Sequence, residues 1–135
     1  MRIWHYKLIP FLPKSQLLAQ WRELNSIFKK QDKHILINYI YEYPKDDLFT
    51  YSNFIINEMK KRGFEIKSID NYYKYFMYQP VNLVKIPFIN HHNFRYMQQC
   101  FYNLQEKYDR GQKDFDYNTY WKLERFIQGE TNEEV

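Results

Sequence analysis

The chain is predicted to fold as an all-α domain, because apolar residues recur at helical spacing in four segments and strand-like alternation is scarce. Its 135 residues suffice for one sizeable core and are too few for two. We therefore expect a compact single-domain helical fold over residues 1–129 that starts with an extended N-terminal segment. Residues 130–135 are expected to form an acidic, disordered tail.

The first predicted helix follows the N-terminal segment MRIWHYKLIPFLP. This segment is expected to be extended, since Pro10 and Pro13 obstruct a helix before that point. Pro13 suits the first turn of a helix that runs to about Lys30. The apolar stripe of this helix consists of Leu17, Trp21, Leu24 and Phe28.

The second predicted helix has the clearest boundaries. Residues 35–43 fit either a short buried helix or extended chain, and Pro44 then interrupts them. Asp46 and Asp47 suit the positive N-terminal end of a helix, and Gly63 caps its C-terminal end. The expected buried residues are Leu48, Tyr51, Ile55 and Met59.

The second half of the chain is predicted to add two longer helices. Residues 71–80 fit a short helix and residues 81–88 extended chain. A third helix is expected from about Asn90 to Arg110, with apolar residues at Phe94, Met97, Phe101, Leu104 and Tyr108. A fourth, over residues 116–128, is expected to turn inward Tyr117, Tyr120, Trp121 and Phe126.

The charge of the chain is positive and unevenly spread. The net charge is +4, and it rises to +7 without the three glutamates of the last six residues. Residues 1–34 hold seven lysines and arginines against two acidic residues. A basic surface favours an anionic partner, most commonly nucleic acid, although a solvated basic face has the same composition.

Several classes of protein are excluded or disfavoured by the same inspection. The single cysteine, Cys100, excludes an internal disulfide. No segment has the layout of a signal peptide, and no apolar run reaches the 18 residues of a membrane span. We expect a cytoplasmic protein that does not associate with membranes and acts as a monomer.

Two features of the N-terminal region could carry chemistry. On the first helix, Arg22, Glu23 and Ser26 lie on the polar side, opposite Leu17. Because Arg22 is next to Glu23 and Lys29, Lys30 and Lys33 follow, Glu23 is a carboxylate surrounded by cations. A solvent-facing helix with ordinary charge alternation would look the same. The second feature is the chain terminus, because an α-amino group is deprotonated at neutral pH far more readily than a lysine and can form a Schiff base.

The opening MRIWHYKLIPFLPKSQLLAQWREL resembles the bacterial branch of the pyrimidine-dimer DNA glycosylase family. The matching elements keep the family's order and closely similar spacing over residues 1–67: Arg2-Ile3, Gln16-Leu17-Leu18, Arg22-Glu23-Leu24, Lys33-His34, Lys61-Arg62-Gly63-Phe64 and Ile66-Lys67. The second half resembles the family only in having another amphipathic helix.

The resemblance implies a DNA glycosylase with abasic-site lyase activity on damaged duplex DNA, without metal or cofactor. Its nucleophile would be the α-amine of Met1, and Glu23 would be the catalytic carboxylate that stabilises positive charge and assists proton transfer. The DNA-binding residues it implies are Arg2, Arg22, Lys29, Lys33 and His34. Damaged, poorly stacked sites are where extruding a nucleotide is least costly.

The chain departs from the phage member of the family at two positions. Met1 is followed directly by Arg2 and falls where the nucleophilic residue belongs. Ser26 replaces a second arginine, for which Lys29 or Lys30 would substitute.

Two other functions remain open: a non-catalytic nucleic-acid-binding module of the same fold, and a Tyr-rich protein-interaction domain. Retention of Glu23 favours the enzyme, because phosphate binding alone gains nothing from a carboxylate. His5 and His34 could line the mouth of the site or be structural. The run Tyr72–Phe76 could stack bases or form half-buried core.

Overall fold

The computed structural model describes the backbone of residues 1–134 and the side chains of residues 1–133. Five α-helices span Lys14–Lys30 (α1), Lys45–Lys61 (α2), Ile69–Phe76 (α3), Phe94–Asp109 (α4) and Tyr117–Glu134 (α5). Two 3-10 helices span Tyr6–Phe11 and Asn38–Glu42. No strand occurs in the described part of the chain, so the predicted all-α fold is confirmed.

Helices α1 and α2 form where their sequence signals predicted them. All four residues of the predicted α1 stripe are buried, as are all four predicted for α2. Asp46 and Asp47 lie in the first turn of α2, where the helix dipole favours negative charge. After Arg62 the chain turns at Gly63 with φ +78°, a backbone conformation that favours glycine.

The N-terminal segment is not extended throughout. Residues 1–5 form neither helix nor strand, but Tyr6–Phe11 form a 3-10 helix in place of the expected extended chain. Pro10 fits inside this helix because its missing N–H removes little from so short a hydrogen-bonded segment. The side chain of His5 accepts a hydrogen bond from the Lys7 N–H and thereby caps its start. Residues 35–43, for which the sequence fits either a short helix or extended chain, contain the other 3-10 helix.

The aromatic run on α3 belongs mainly to the core. Tyr72 and Phe76 are buried, and both rings pack edge-on against the Phe28 ring of α1. Tyr73 is exposed on the other side of α3. The half-buried-core interpretation therefore describes most of this run.

Helix α4 begins at Phe94, later than predicted. The Asn93 side chain accepts a hydrogen bond from the Tyr96 N–H and caps the helix there. The predicted apolar residues Met97, Phe101 and Leu104 are buried, whereas the two outermost residues of the stripe are half-buried.

The inward face of α5 was assigned wrongly in part. Tyr120 is buried as expected and Phe126 packs partly buried against the core, but Tyr117 and Trp121 are 68% and 43% exposed. Leu123 and Ile127 carry the core face instead, because with Tyr120 they repeat at helical spacing.

The predicted disordered tail is helical as far as it is described. Helix α5 continues from Gly129 to Glu134, while Val135 lies outside the described residues. The extension is held by an ion pair of 3.3 Å between Lys7 Nζ and Glu130 Oε1, and by a hydrogen bond from Thr131 to the Ile127 carbonyl. Glu130 thus contacts the body of the protein, while the disorder of the tail stays a prediction.

The helices pack in two groups around the N-terminal segment. Helix α1 contacts α2 and α3 on one side of the molecule. The first 3-10 helix contacts α2, α4 and α5, and α4 packs against α5. The first 3-10 helix thus packs between α2 and the pair formed by α4 and α5.

Candidate active site

The first residues of the chain are held by their own buried side chains. Ile3 is fully buried and Trp4 nearly so, while Met1 emerges at the surface with 40% of its area exposed. The Tyr96 hydroxyl of α4 donates a hydrogen bond of 2.6 Å to the Ile3 carbonyl. The terminal amine is therefore only two residues from a rigid anchor.

Gln20 ties this segment to α1 and is fully buried. Its Oε1 accepts a hydrogen bond of 2.9 Å from the Trp4 N–H, and its Nε2 donates one of 3.0 Å to the Arg2 carbonyl. The same Nε2 donates to Glu23 Oε2 at 3.0 Å. The Tyr51 hydroxyl of α2 lies 2.8 Å from Gln20 Oε1 and 2.7 Å from the Trp4 carbonyl oxygen. A single amide side chain thus connects the start of the chain with Glu23.

Met1 and Glu23 line the same open pocket of about 310 Å³. Arg2 and Trp4 contribute from the N-terminal segment. The remaining wall comes from α1, from the loop that follows it and from α4: Gln16, Ala19, Leu36, Asn103 and Lys107. Two larger or comparable grooves lie elsewhere along α1, but neither contains the chain terminus. This pocket is where the two residues predicted to be catalytic meet.

The carboxyl group of Glu23 is harder to deprotonate than that of a glutamate in open solvent. The side chain is half-buried, and burial raises the pKa of its carboxyl above the ordinary value. The charges of the terminal amine and of Arg22, together with hydrogen bonds from the Arg2 main chain and Gln20, act in the opposite direction. Glu23 is thus not the freely solvated residue that its position on the helix indicated.

Arg2 is held against aromatic rings at the pocket. Its guanidinium carbon lies 5.7 Å from the centre of the Trp4 ring and 5.9 Å from that of Tyr96. Such cation–π contacts orient the planar group without neutralising its charge. Arg2 therefore supplies a positioned positive charge beside Met1.

Arg22 and Lys29 lie on a different groove, about 290 Å³ in volume, next to Ser26. Lys30 and Lys67 line it as well, so it is strongly basic. The Ser26 hydroxyl donates a hydrogen bond to the Asp32 carboxylate. The lysines proposed as substitutes for the arginine missing at residue 26 thus share a groove with Ser26.

Lys33 and His34 lie in the loop between α1 and the second 3-10 helix, and neither lines the pocket of Met1. The Lys33 ammonium lies 5.1 Å from the centre of the Tyr41 ring. The exposed His34 organises the loop, since its Nδ1 accepts a hydrogen bond of 3.1 Å from the Leu36 N–H. Only Leu36 of this loop reaches the pocket.

Of the two interpretations of His5, the structural one is confirmed, because its side chain is buried and does not line the pocket of Met1. Its Nδ1 accepts from the Lys7 N–H, so its Nε2 donates to the His92 carbonyl at 2.9 Å. His92 is buried too, accepts from the Tyr6 N–H and contacts the Tyr39 hydroxyl at 2.7 Å. Burial lowers the pKa of His5 to about 4 and that of His92 to about 2, so both rings are neutral structural groups.

The residues of the site that were not identified from the sequence include Gln20, which is buried and bonds to Glu23, and Asn103 and Lys107, which line the pocket. For Gln20 a signal existed, since a glutamine one residue before Trp21 falls within the apolar face of α1. Asn103 and Lys107 lie on α4, beyond the part of the chain that resembles a known family, and nothing in their spacing marks them.

Residues 1–134 show no sign of a metal site or of a membrane span. This part of the chain contains no group of three or more His, Cys, Asp or Glu side chains placed to hold a metal ion. None of its helices is both long and apolar enough to span a bilayer.

Comparison with known proteins gives one match. The sequence model of a family described as pyrimidine dimer DNA glycosylase matches residues 1–72, slightly more than half of the chain. No curated protein and no solved structure matches. The matched region contains Met1, Glu23 and the whole of α1 and α2, and the match supports a glycosylase of the pyrimidine-dimer type acting on DNA. On this evidence the chain belongs to the pyrimidine dimer DNA glycosylase family.

Proposed function

We propose that the protein removes a damaged pyrimidine from duplex DNA and then cleaves the backbone at the resulting abasic site. The terminal amine of Met1 is the nucleophile, and Glu23 is the catalytic carboxylate. The observation that carries this proposal is that Met1 and a half-buried Glu23 line one open pocket. Gln20, which bonds to both the Arg2 carbonyl and Glu23, supports a fixed relation between the two groups.

The reaction needs an amine and a proton carrier in one place. The amine attacks C1′ of the damaged nucleotide, and the N-glycosidic bond breaks as the base leaves with the bonding electrons and takes up a proton. The sugar ring then opens and a Schiff base joins C1′ to the protein. Removal of a C2′ proton expels the 3′ phosphate by β-elimination, and water releases the amine. Glu23 stabilises the positive charge near C1′ and moves the protons.

Basic residues on either side of Glu23 suit the binding of a DNA backbone. Arg2 stands at the pocket, and Arg22 and Lys29 lie on the neighbouring basic groove. Lys33 extends the positive surface from the adjoining loop, in which the neighbouring His34 is exposed. Phosphate contacts of this kind position a duplex without reading its sequence, which suits an enzyme that recognises damage.

The proposal is tested by borohydride trapping on a duplex that carries an abasic site. Borohydride reduces the Schiff base and leaves the protein covalently attached to DNA. We expect the DNA to be found on the N-terminal peptide that begins with Met1. Lys107 is the critical alternative, because it is a second amine that lines the same pocket.

Two matched variants separate these amines. Lys107→Arg keeps the positive charge, cannot form a Schiff base, and is expected to trap as the parental protein does. A protein with an uncleaved N-terminal extension is expected to bind DNA and fail to trap. Attachment at Lys107 would contradict the assignment of the nucleophile. DNA binding without any trapping would identify a non-catalytic module instead.

A further inference from the structure

The loop between α1 and the second 3-10 helix carries the most exposed large hydrophobic side chain in the described residues. Ile35 is 85% exposed and its neighbour Leu36 is 44% exposed, whereas Ile37 is fully buried. Exposed apolar side chains that occur singly are common, but two adjacent ones at the tip of a loop beside a candidate active site need an explanation.

The loop holds these side chains on a firm support. The His34 carbonyl accepts hydrogen bonds of 2.9 Å from the N–H groups of both Ile37 and Asn38. The Asn38 Oδ1 accepts a hydrogen bond of 2.7 Å from the His34 N–H, and the His34 Nδ1 accepts one from the Leu36 N–H. Together with the buried Ile37, these bonds fix the turn from which Ile35 projects. These hydrogen bonds distinguish the loop from one whose backbone is bonded only to solvent.

The projecting pair lies beside the proposed chemistry. Leu36 lines the pocket that contains Met1 and Glu23, and the exposed Ile35 directly precedes it in the chain. Positive groups of Arg2 and Lys107 line the same pocket. A duplex whose damaged nucleotide enters this pocket would therefore have its phosphates near positive charge and its neighbouring base pairs close to the loop.

We propose that Ile35 and Leu36 form an apolar wedge that enters the base stack next to the damaged nucleotide. Apolar side chains inserted between base steps partly unstack them and kink the duplex. An enzyme that acts on a nucleotide must first take it out of the stack, and a wedge fills the space left behind. This inference rests on the proposed function, since it names how the same site opens its duplex substrate.

The test compares Ile35→Ala with the parental protein in three measurements: excision from duplex DNA, cleavage of single-stranded DNA, and a fluorescence change on binding. Ile35→Ala is expected to excise a pyrimidine dimer from duplex DNA at least about tenfold more slowly. The reason is that alanine compensates for less of the free energy that unstacking the bases requires. Cleavage of an abasic site in single-stranded DNA should stay within about twofold, because no stack has to be opened there. A duplex with 2-aminopurine beside the lesion should gain fluorescence with the parental protein and gain little with the variant.

Two further variants give the controls. Leu83→Ala removes another exposed leucine, on the segment between α3 and α4 and outside the pocket lining, and should leave all three signals unchanged. Ile35→Met keeps an apolar tip and should restore excision. All variants should show the parental thermal midpoint, since the side chain removed is exposed.

The outcomes distinguish failure of the wedge from failure of the proposed function. If Ile35→Ala excises the dimer and raises the fluorescence as the parental protein does, the wedge is refuted while the enzyme stands. If the parental protein never cleaves but raises the fluorescence through Ile35, the proposed chemistry fails and the wedge stands. Absence of any fluorescence change with the parental protein on binding refutes the wedge as well.

Discussion

Gln20→Met is the substitution whose effect follows most directly from the structure. Methionine has nearly the volume of glutamine but can replace none of its strong hydrogen bonds. The change leaves the buried Trp4 N–H without a partner, and it removes the donor that the Arg2 carbonyl and Glu23 share. Tyr51 keeps the Trp4 carbonyl as an acceptor.

The magnitude can be worked from these groups. A buried main-chain group without a partner costs about 1–3 kcal/mol, and the half-buried Arg2 carbonyl falls at the lower end because water can reach it. The free energy of unfolding should therefore fall by about 2–4 kcal/mol. For a domain of this size that corresponds to a thermal midpoint lower by about 8–16 °C.

Thermal unfolding followed by circular dichroism measures the loss of stability, and Gln16→Met is the matched control. Gln16 lies one turn earlier on α1, lines the pocket of Met1 and accepts one side-chain hydrogen bond, from Gln112, so its replacement should cost less than about 1 kcal/mol. A midpoint for Gln20→Met within about 3 °C of the parental value would refute the reasoning about buried hydrogen bonds.

A second measurement separates positioning from stability. At a temperature well below its own transition, Gln20→Met should trap abasic DNA about tenfold to 10²-fold more slowly, because the amine and Glu23 are no longer held together. If the folded variant traps at the parental rate, Gln20 stabilises the fold without positioning the reacting groups.

Three other predictions follow from the site and its surroundings. Glu23→Gln should lower strand cleavage about 10²-fold while DNA affinity holds or rises, and a parental cleavage rate would exclude a catalytic role. Arg22→Ala should weaken binding to damaged and undamaged duplexes alike, with a log-log salt slope shallower by about one; a loss confined to damaged DNA would instead assign it to lesion recognition. Because the pKa values of His5 and His92 are lowered to about 4 and about 2, the unfolded chain binds more protons than the folded one below about pH 6.5. The free energy of unfolding should therefore fall by about 2–3 kcal/mol per pH unit between about pH 6 and 4, and urea unfolding that is unchanged between pH 7 and 5 would contradict neutral burial of these rings.

The first half of the fold could be predicted from sequence because its signals are local. Apolar spacing, the acidic first turn and Gly63 determine α1 and α2 almost to the residue. The 3-10 helix at Tyr6–Phe11 escaped prediction because six residues around a proline carry no helical period. On α5 the aromatic residues were weighted above Leu123, although large aromatic side chains can also lie half-exposed on a helix surface.

The candidate site could be predicted only as separate pieces. Met1 and Glu23 were indicated by chemistry and by resemblance, but their meeting in one pocket depends on contacts between distant parts of the chain. The hydrogen bonds that join Gln20 with Arg2 and with Trp4 span 18 and 16 residues, respectively, and no spacing rule reveals such contacts. The wall that α4 supplies is more distant still, since Lys107 lies over 100 residues from the chain start.

The candidate site is built from two parts of the chain, the N-terminal region and α4. Residues 1–72, which match the family, contain the amine and the carboxylate, whereas Asn103 and Lys107 close the pocket from outside that region. The matched part also depends on α4 for its geometry, because the Tyr96 hydroxyl holds the Ile3 carbonyl. Under the proposed function, changes along this face of α4 would alter which lesion fits without replacing Met1 or Glu23. Residues such as Asn103 and Lys107 are then the positions at which the preference for a damaged base could change while the proposed reacting groups stay the same.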